Sequence, residues 1–175
     1  MDTTGVIQLV TILVLVGLSA FFSSAETAFT TVNRVRMKAL ADEGNSRASA
    51  VLTVLDHYSK MLSTILIGNN IVNLTASSLT TILASKVFGS YAVGIATGIL
   101  TLTILIFGEI IPKNTAMIYS DKISLIYAKI ILFLMKIFTP VVFIIDRLSM
   151  GISRLLHIDM SKKGSVMTEN ELKTY

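Results

Sequence analysis

The sequence contains no cysteine and no tryptophan, only two prolines, and few charged residues. The absence of cysteine excludes disulfide frameworks, thiolate zinc sites and cysteine nucleophiles, and it says nothing about the redox compartment. Charged side chains make up 15% of the 175 residues, whereas an average soluble domain carries about 25%. Because too few polar side chains remain to coat a water-soluble globule, the composition indicates a membrane protein.

The formal net charge of +4 could by itself indicate a nucleic-acid-binding protein. Nucleic-acid binding requires basic side chains clustered on a solvated face, but here long apolar runs interrupt them. We therefore expect no nucleic-acid partner, and basic residues that face anionic lipid. The sequence also lacks a Walker loop, a dinucleotide-binding fingerprint and a hydrolase elbow, so it does not indicate an enzyme.

Three stretches reach the roughly 20 mostly apolar residues that a helix needs to cross a bilayer. They are residues 5–31, 61–85 and 91–118. A fourth stretch, residues 130–145, is shorter and contains Lys136 and Pro140. We expect an amphipathic helix at the cytoplasmic interface there, with a break near Pro140. The predicted fold is therefore an all-α membrane protein with three transmembrane helices and cytoplasmic juxtamembrane belt helices.

The distribution of Lys and Arg predicts the orientation of the spans. No basic residue precedes the first span, five lie between the first and second, and only Lys86 lies between the second and third. The chain after the third span is again rich in Lys and Arg. By the positive-inside rule the amino terminus is outside and the carboxyl terminus is cytoplasmic. We therefore predict a multi-pass protein of the cell membrane with an odd number of crossings.

The parts outside the spans predict the organisation of the rest of the chain. Residues 32–60 show the pattern of two amphipathic helices joined at residues 42–45, and we expect both along the inner leaflet. We assign residues 1–160 to a transmembrane domain with its juxtamembrane helices. Residues 161–175 include a capping-box spacing at Thr168 and Glu171, which predicts a linker and the start of a truncated cytoplasmic region.

Two acidic residues, Glu26 and Glu109, fall inside the predicted spans, where an ionisable side chain is costly and therefore suggests a function. Glu26 is close to the cytoplasmic end of the first span, within reach of Arg34 or lipid headgroups, and an interfacial role is favoured. Glu109 could instead pair with Lys113 one helical turn later and reach the inner surface.

The sequence around Glu109 favours a functional role over that ion pair. Pro112 cannot donate a backbone hydrogen bond to the carbonyl of Gly108, four residues earlier. A freed carbonyl oxygen therefore lies beside a carboxylate, and inside a membrane such an oxygen needs a side chain, a water molecule or a cation as its partner. Gly108 also permits close approach because it has no side chain.

The other two spans place oxygen-bearing side chains at a similar depth. In each span two such residues are four positions apart, so they lie on one face of their helix. A rise of 1.5 Å per residue puts Ser23, Asn69 and Glu109 in the cytoplasmic half of a core about 30 Å thick. The candidate ligands are the side chains of Ser19, Ser23, Asn69, Asn73 and Glu109 and the carbonyl of Gly108.

This set holds oxygen only, without sulfur or imidazole, so it favours a hard cation such as Mg²⁺, Ca²⁺ or Na⁺ and disfavours zinc and copper. The alternative is that the serines and asparagines hydrogen-bond one helix to another, at about 0.6 kcal/mol per contact. The polar groups of all three predicted spans lie at a similar depth, and this favours a cation site. Ligand chemistry alone does not identify the ion.

Three motifs occur in order, one in each predicted span. They are Leu-Ser-Ala-Phe-Phe-Ser-Ser-Ala-Glu-Thr-Ala at residues 18–28, Leu-Ile-Gly-Asn-Asn-Ile-Val-Asn at 66–73 and Phe-Gly-Glu-Ile-Ile-Pro-Lys at 107–113. On these motifs the chain resembles the transmembrane domain of the CorC and cyclin M family of magnesium transport proteins. The resemblance covers residues 5–175, and the Ser-Ala-Glu-Thr-Ala form is similar to the prokaryotic branch.

The resemblance implies a homodimer with three spans per subunit, followed by a cytoplasmic pair of nucleotide-binding CBS modules. It implies Mg²⁺ as the transported substrate, with efflux proposed to be coupled to entry of Na⁺. It places the cation among Ser19, Ser23, Asn69, Asn73, Gly108 and Glu109. The CBS modules are absent from these 175 residues, so the resemblance leaves open whether this part of a chain transports on its own.

Three functions compete at this point. The leading hypothesis is a Mg²⁺ exporter domain that binds a largely dehydrated ion and exposes it outward when the three helices rearrange. The first alternative is a membrane-embedded Mg²⁺ sensor or assembly subunit that binds the ion without moving it. The other is a structural dimeric anchor, in which Glu109 would pair with Lys113 and no cation would bind.

Overall fold

The computed structural model describes residues 3–89 and 93–155, and all regular structure in them is helical. The predicted linker at 161–175, with its capping box, lies outside the described residues. The helices are α1 (Thr3–Thr31), α2 (Arg34–Asp42), α3 (Ser46–Asp56), α4 (Tyr58–Phe88), α5 (Val93–Thr103), a π-helical turn (Ile104–Ile110), α6 (Ile111–Ile118), α7 (Ser120–Ile137) and α8 (Thr139–Leu155).

Helices α2 and α3 confirm the two helices predicted within residues 32–60, and local chemistry explains their bounds. Asn33 caps α2 by accepting a hydrogen bond from the backbone N–H of Arg36 at 3.0 Å. Asn45 caps α3 in the same way, from the N–H of Arg47 at 3.0 Å. Between them Gly44 has a φ of 91°, a left-handed conformation that glycine adopts at little cost.

Helix α1 is the central element, because it packs against α4, the π-helical turn, α6 and α7. Its carboxyl-terminal half enters the main apolar core, where Phe22 and Phe29 meet Met61 and Ile65 of α4. A smaller apolar cluster holds the other half of α1 against α4 and α5. The other two helical stretches that carry candidate ligands are therefore packed against α1.

Length and composition identify two stretches of the described residues that could cross a membrane, Thr3–Thr31 and Val93–Ile118. A third appears if α7 and Thr139–Ile145 are counted together as one broken span. The helix predicted at residues 61–85 is confirmed as α4, but its many Asn, Ser and Thr side chains lower its hydropathy. The three-span arrangement therefore stays a prediction.

The helix expected at residues 130–145 was wrong in extent. Helix α7 begins at Ser120, ten residues earlier, and its buried face already starts at Ser124 and continues through Ala128 and Ile131. The break near Pro140 is confirmed, since α7 ends at Ile137 and Pro140 occupies the first turn of α8. The chain divides there into two compact units, Met1–Ile137 and Phe138–Tyr175, and α8 is the described helix of the second.

Helices α1 and α4 approach each other closely at Gly68. A methyl group at this position would lie 2.5 Å from two ring carbons of Phe22, which is itself 6% exposed. Real side-chain contacts do not reach that distance, so glycine is required for the ring to lie against the backbone of α4. This contact is near the candidate ligands, since Phe22 follows Ser19 by three residues and Gly68 directly precedes Asn69.

We predict that Gly68→Ala destabilises the protein, because the added methyl group must displace a buried aromatic ring. Overpacking of this kind typically costs about 1–3 kcal/mol. Thermal unfolding in detergent measures the effect. Gly17→Ala is the matched control, since nothing lies within 4 Å of its added Cβ. Equal unfolding temperatures for the two variants would show that the Phe22 contact does not set the packing.

Candidate functional site

The third set of candidate ligands, Gly108 and Glu109, lies on a distorted helical turn. From Ile104 to Ile110 the helix is π-helical, and the N–H of Ile111 donates to the carbonyl of Ile106, one residue further back than in an α-helix. Pro112 follows directly in the first turn of α6, where its missing N–H is tolerated. A widened turn next to a proline releases backbone carbonyls from regular pairing, and such turns are frequent at functional sites.

Three of the predicted ligands meet directly at the contact between α1, α4 and the π-helical turn. The Ser19 hydroxyl donates to Asn69 Oδ1 at 3.2 Å, and Ser19 is fully buried. A Cβ added to Gly108 would lie 3.0 Å from Ser19 Oγ. The backbone of the π-helical turn therefore rests against the Ser19 side chain, and any larger residue at position 108 would require Ser19 to shift by a few tenths of an ångström.

Two other predicted ligands are buried without any hydrogen-bond partner in the described part of the chain. These are Ser23 Oγ, on the turn of α1 after Ser19, and Asn73 Oδ1, on the turn of α4 after Asn69. Ser23 is 1% exposed. A buried polar atom without a partner costs free energy, and more so where no water can reach it. These two oxygens are therefore available to a ligand.

Glu109 and Asn73 both line a cavity of about 270 Å³, which lies between α4, α5 and the π-helical turn. The wall is partly polar and partly apolar, and it consists of Asn70, Asn73, Leu74, Ser77, Leu100, Thr101, Ile104, Leu105 and Glu109. Among the described residues Glu109 has no ion-pair partner. Its carboxylate is the one formal charge in this wall.

Neither ion pair that the sequence offered as an alternative for the two span acids is observed. Lys113 lies 3.5 Å from Glu26, not beside Glu109, so the ion pair joins α6 to α1 instead of closing a turn within one helix. Arg34 pairs with Asp56 of α3 and not with Glu26. The pairing that an anchor without a cation would require is thus not observed.

Sequence reasoning missed three polar residues of the cavity, namely Asn70, Ser77 and Thr101. Their signal was weak, because serine and threonine are common in membrane helices and only Asn73 stood at a suggestive spacing. Ser77 follows Asn73 by four residues and Thr101 precedes Glu109 by eight, so helical periodicity does place each on the face of a predicted ligand.

The described residues contain no group of three or more His, Cys, Asp or Glu side chains that could hold a metal ion. A cation in this region would depend on neutral oxygens and on Glu109. Such a ligand set suits a hard cation, as expected from the residue types.

We predict opposite effects for the two serines of α1 in cation-free detergent. Ser19→Ala removes the hydrogen bond to Asn69 and should lower the free energy of unfolding by about 0.6 kcal/mol. Ser23→Ala removes a buried hydroxyl without a partner and should leave stability unchanged or raise it. Thermal unfolding measures both, with Ser78→Ala as the control, because that exposed hydroxyl bonds its own helix at Leu74. A loss at Ser23 equal to that at Ser19 would contradict the burial of a free oxygen.

Comparison with known proteins identifies what these helices resemble. The family profile described as the cyclin M transmembrane N-terminal domain matches residues 9–175. The UPF0053 inner membrane protein YfjD of Escherichia coli is 36% identical over 159 residues, which cover 90% of this chain and 37% of that protein. A UPF0053 protein of Haemophilus influenzae is 34% identical over 157 residues, again 90% of this chain and 37% of the relative.

A more distant relative carries a functional name. The polyamine export protein of Haemophilus influenzae is 27% identical over 176 residues, covering 91% of this chain and 41% of that protein. The chain thus spans well under half of the length of each of these relatives.

Proposed function

Because the chain belongs to the cyclin M transmembrane family, we propose that it binds Mg²⁺ among oxygens of three helices and exports the ion across the membrane. The three helices are α1, α4 and the stretch from α5 to α6. The ligands are the side chains of Ser19, Ser23, Asn69, Asn73 and Glu109 with the carbonyl of Gly108. In this proposal Mg²⁺ is the substrate.

The observation that carries the proposal is the pair of buried oxygens without partners, Ser23 Oγ and Asn73 Oδ1. Both atoms belong to residues that the sequence predicts to be ligands from their types and spacing. Glu109, with no ion-pair partner among the described residues, supplies a negative charge beside Asn73 in the cavity wall. Oxygens that stay unpaired inside a membrane protein are explained by a ligand that the protein holds for part of its working cycle.

The contact between Ser19 and Asn69 also fits Mg²⁺. Adjacent ligands of an octahedral ion with bonds near 2.1 Å are about 3.0 Å apart. Ser19 Oγ and Asn69 Oδ1 are 3.2 Å apart, so both could serve as neighbouring ligands after the hydroxyl proton turns away from the amide oxygen. Their present hydrogen bond would then hold the two oxygens in place while no ion is bound.

The proposed topology has three spans, with the amino terminus outside and α2, α3, α7 and α8 at the cytoplasmic interface. The Lys and Arg distribution supports it. So do the contacts of α2, because Arg36 pairs with Asp121 of α7 at 2.9 Å and keeps these two elements at one end of the bundle. We further propose a homodimer in the bilayer and cytoplasmic CBS modules in the same full-length chain, consistent with the greater length of the relatives.

A cysteine introduced at Lys162 tests this topology. The protein contains no cysteine, so a single site can be labelled without background. We expect that a membrane-impermeant thiol reagent added to intact cells does not modify the Lys162→Cys variant. The same reagent should label the variant once the cells are permeabilised. Labelling from outside would show a fourth crossing and overturn the three-span proposal.

Energy for export could come from Na⁺ moving inward. Each elementary charge that crosses a membrane potential of about 100 mV contributes about 2.3 kcal/mol. Exchange of one Mg²⁺ for two Na⁺ is electroneutral and would draw on the Na⁺ gradient alone, whereas exchange for three or more Na⁺ would also draw on the membrane potential. A ligand set of neutral oxygens with a single carboxylate is also compatible with Na⁺.

We predict that Glu109→Gln abolishes both Mg²⁺-dependent thermal stabilisation and Mg²⁺ efflux from loaded proteoliposomes. Removal of the one charge leaves a divalent ion without neutralisation, and a tenfold weaker affinity corresponds to about 1.4 kcal/mol. Glu26→Gln is the matched control, since Glu26 pairs with Lys113 at 3.5 Å outside the proposed ligand set.

Full efflux by the Glu109→Gln variant would refute the site. Wild-type protein that is stabilised by Mg²⁺ but shows no flux in liposomes would instead favour the alternative function, a membrane-embedded sensor or assembly subunit. Protein that Mg²⁺ does not stabilise at all would favour a structural anchor.

A second candidate substrate is a polyamine. Two observations favour it: the name of the Haemophilus influenzae relative, and the apolar side chains that adjoin Glu109 in the cavity wall. A carboxylate next to Leu74 and Leu105 would suit an ammonium group with its methylene chain. Spermidine in place of Mg²⁺ in the stabilisation assay separates the two, because Glu109-dependent stabilisation by spermidine alone would identify a polyamine site.

A further inference from the structure

The contact of α1 with α4 has a regular register that extends beyond the proposed Mg²⁺ site. Ser19 and Asn69 are hydrogen-bonded at 3.2 Å. Ile12, seven residues before Ser19, packs with Ala76, seven residues after Asn69, in one buried cluster with Leu100. The two helices are therefore antiparallel and stay in contact over at least two further turns.

The next turn of the same two faces carries Gln8 and Thr80. Gln8 precedes Ser19 by eleven residues, and Thr80 follows Asn69 by eleven. Eleven residues are close to three helical turns, or about 16 Å along the bundle. Gln8 Oε1 and Thr80 Oγ1 are both buried, and neither has a hydrogen-bond partner within the described ranges. Thr80 is only 9% exposed.

The behaviour of neighbouring threonines shows that the free Thr80 hydroxyl is unusual. Thr75 donates to the carbonyl of Ile71 at 2.7 Å, Thr81 donates to that of Ser77 at 3.0 Å, and Thr11 on α1 donates to that of Ile7 at 2.8 Å. A threonine in a membrane helix normally satisfies its hydroxyl in this way. Thr80 does not, although it is more buried than any of these three.

We propose that Gln8 and Thr80 form a second station for Mg²⁺, at the end of the bundle that holds the amino terminus of α1. This inference rests on the proposed export function and gives the path of the ion. The two stations are separated by the apolar cluster of Ile12, Ala76 and Leu100, which closes the path between them. Passage would require α1 and α4 to part at this cluster.

The chemistry of the outer station determines the state of the ion there. Two neutral oxygens cannot replace the six ligands of Mg²⁺, so the ion keeps most of its water molecules and the protein oxygens bind those waters or replace one or two. Neither residue carries a formal charge. Such a site holds the ion weakly, which suits a station from which the ion is released.

The test compares Mg²⁺ flux with Mg²⁺ binding in the full-length protein. Thr80→Val and Gln8→Leu keep the side-chain size and remove the free oxygens. We expect each to lower Mg²⁺ efflux from proteoliposomes about tenfold or more, the effect of one lost polar contact to a charged group. Mg²⁺-dependent thermal stabilisation, which reports the inner site with Glu109, should stay at the wild-type level.

Two further variants separate a station from a packing contact. Thr80→Ser keeps a hydroxyl and should retain efflux, whereas Thr81→Val, beside it on the exposed face, should have no effect on efflux. In the absence of Mg²⁺, Thr80→Val should unfold at the same or a higher temperature, because a buried hydroxyl without a partner is removed.

Wild-type efflux in Thr80→Val and Gln8→Leu would overturn the outer station and leave the export function intact. So would a lower unfolding temperature of Thr80→Val together with unchanged efflux, which identifies a packing contact. Absence of efflux from the wild-type protein would overturn the export function itself, and the outer station with it.

Discussion

A buried oxygen in a membrane protein has no water to bond with, and this constraint connects the packing of the bundle with its polar chemistry. Helices α1 and α4 approach closely because Gly68 gives room to the ring of Phe22. The π-helical turn approaches α1 because Gly108 lies against Ser19. These contacts bring several oxygens into the bundle, but only some of them pair with one another. The remaining unpaired oxygens make the same contact surface suitable for an ion.

The arrangement along α1 follows from that constraint. Polar residues occur at two levels of the contact between α1 and α4, and an apolar level of Ile12, Ala76 and Leu100 lies between them. A continuous polar path would leak ions, whereas a continuous apolar contact would bind none. Alternation of the two permits binding at one end without open passage to the other. Under the proposed export function, the cation would move only when the helices shift, as in a transporter that exposes its site alternately.

Much of the fold could be predicted because its signals are local. The turn at residues 42–45 and the caps at Asn33 and Asn45 follow from residue types that bond their own backbone. The ion pair of Glu26 with Lys113 could not be predicted, because it joins two helices whose relative rotation depends on the π-helical turn. Pro112 indicated a freed carbonyl but not the extra residue in the turn before it. Sequence spacing thus indicated which polar residues share a helix face, but not which side chains of other helices pair with the charged residues.

Direct observation of an ion among the six proposed ligands is the measurement that tests the central claim. A crystal or cryo-electron microscopy structure of the full-length protein in Mg²⁺ would locate the ion. In crystals, Mn²⁺ in place of Mg²⁺ would mark the same position by its anomalous X-ray scattering. We expect one ion bonded to Asn73 and the Glu109 carboxylate, with metal–oxygen distances of about 2.1 Å for Mg²⁺. A structure at saturating Mg²⁺ with no ion there, and with Ser23 Oγ and Asn73 Oδ1 bonded to other protein groups, would contradict the proposed site.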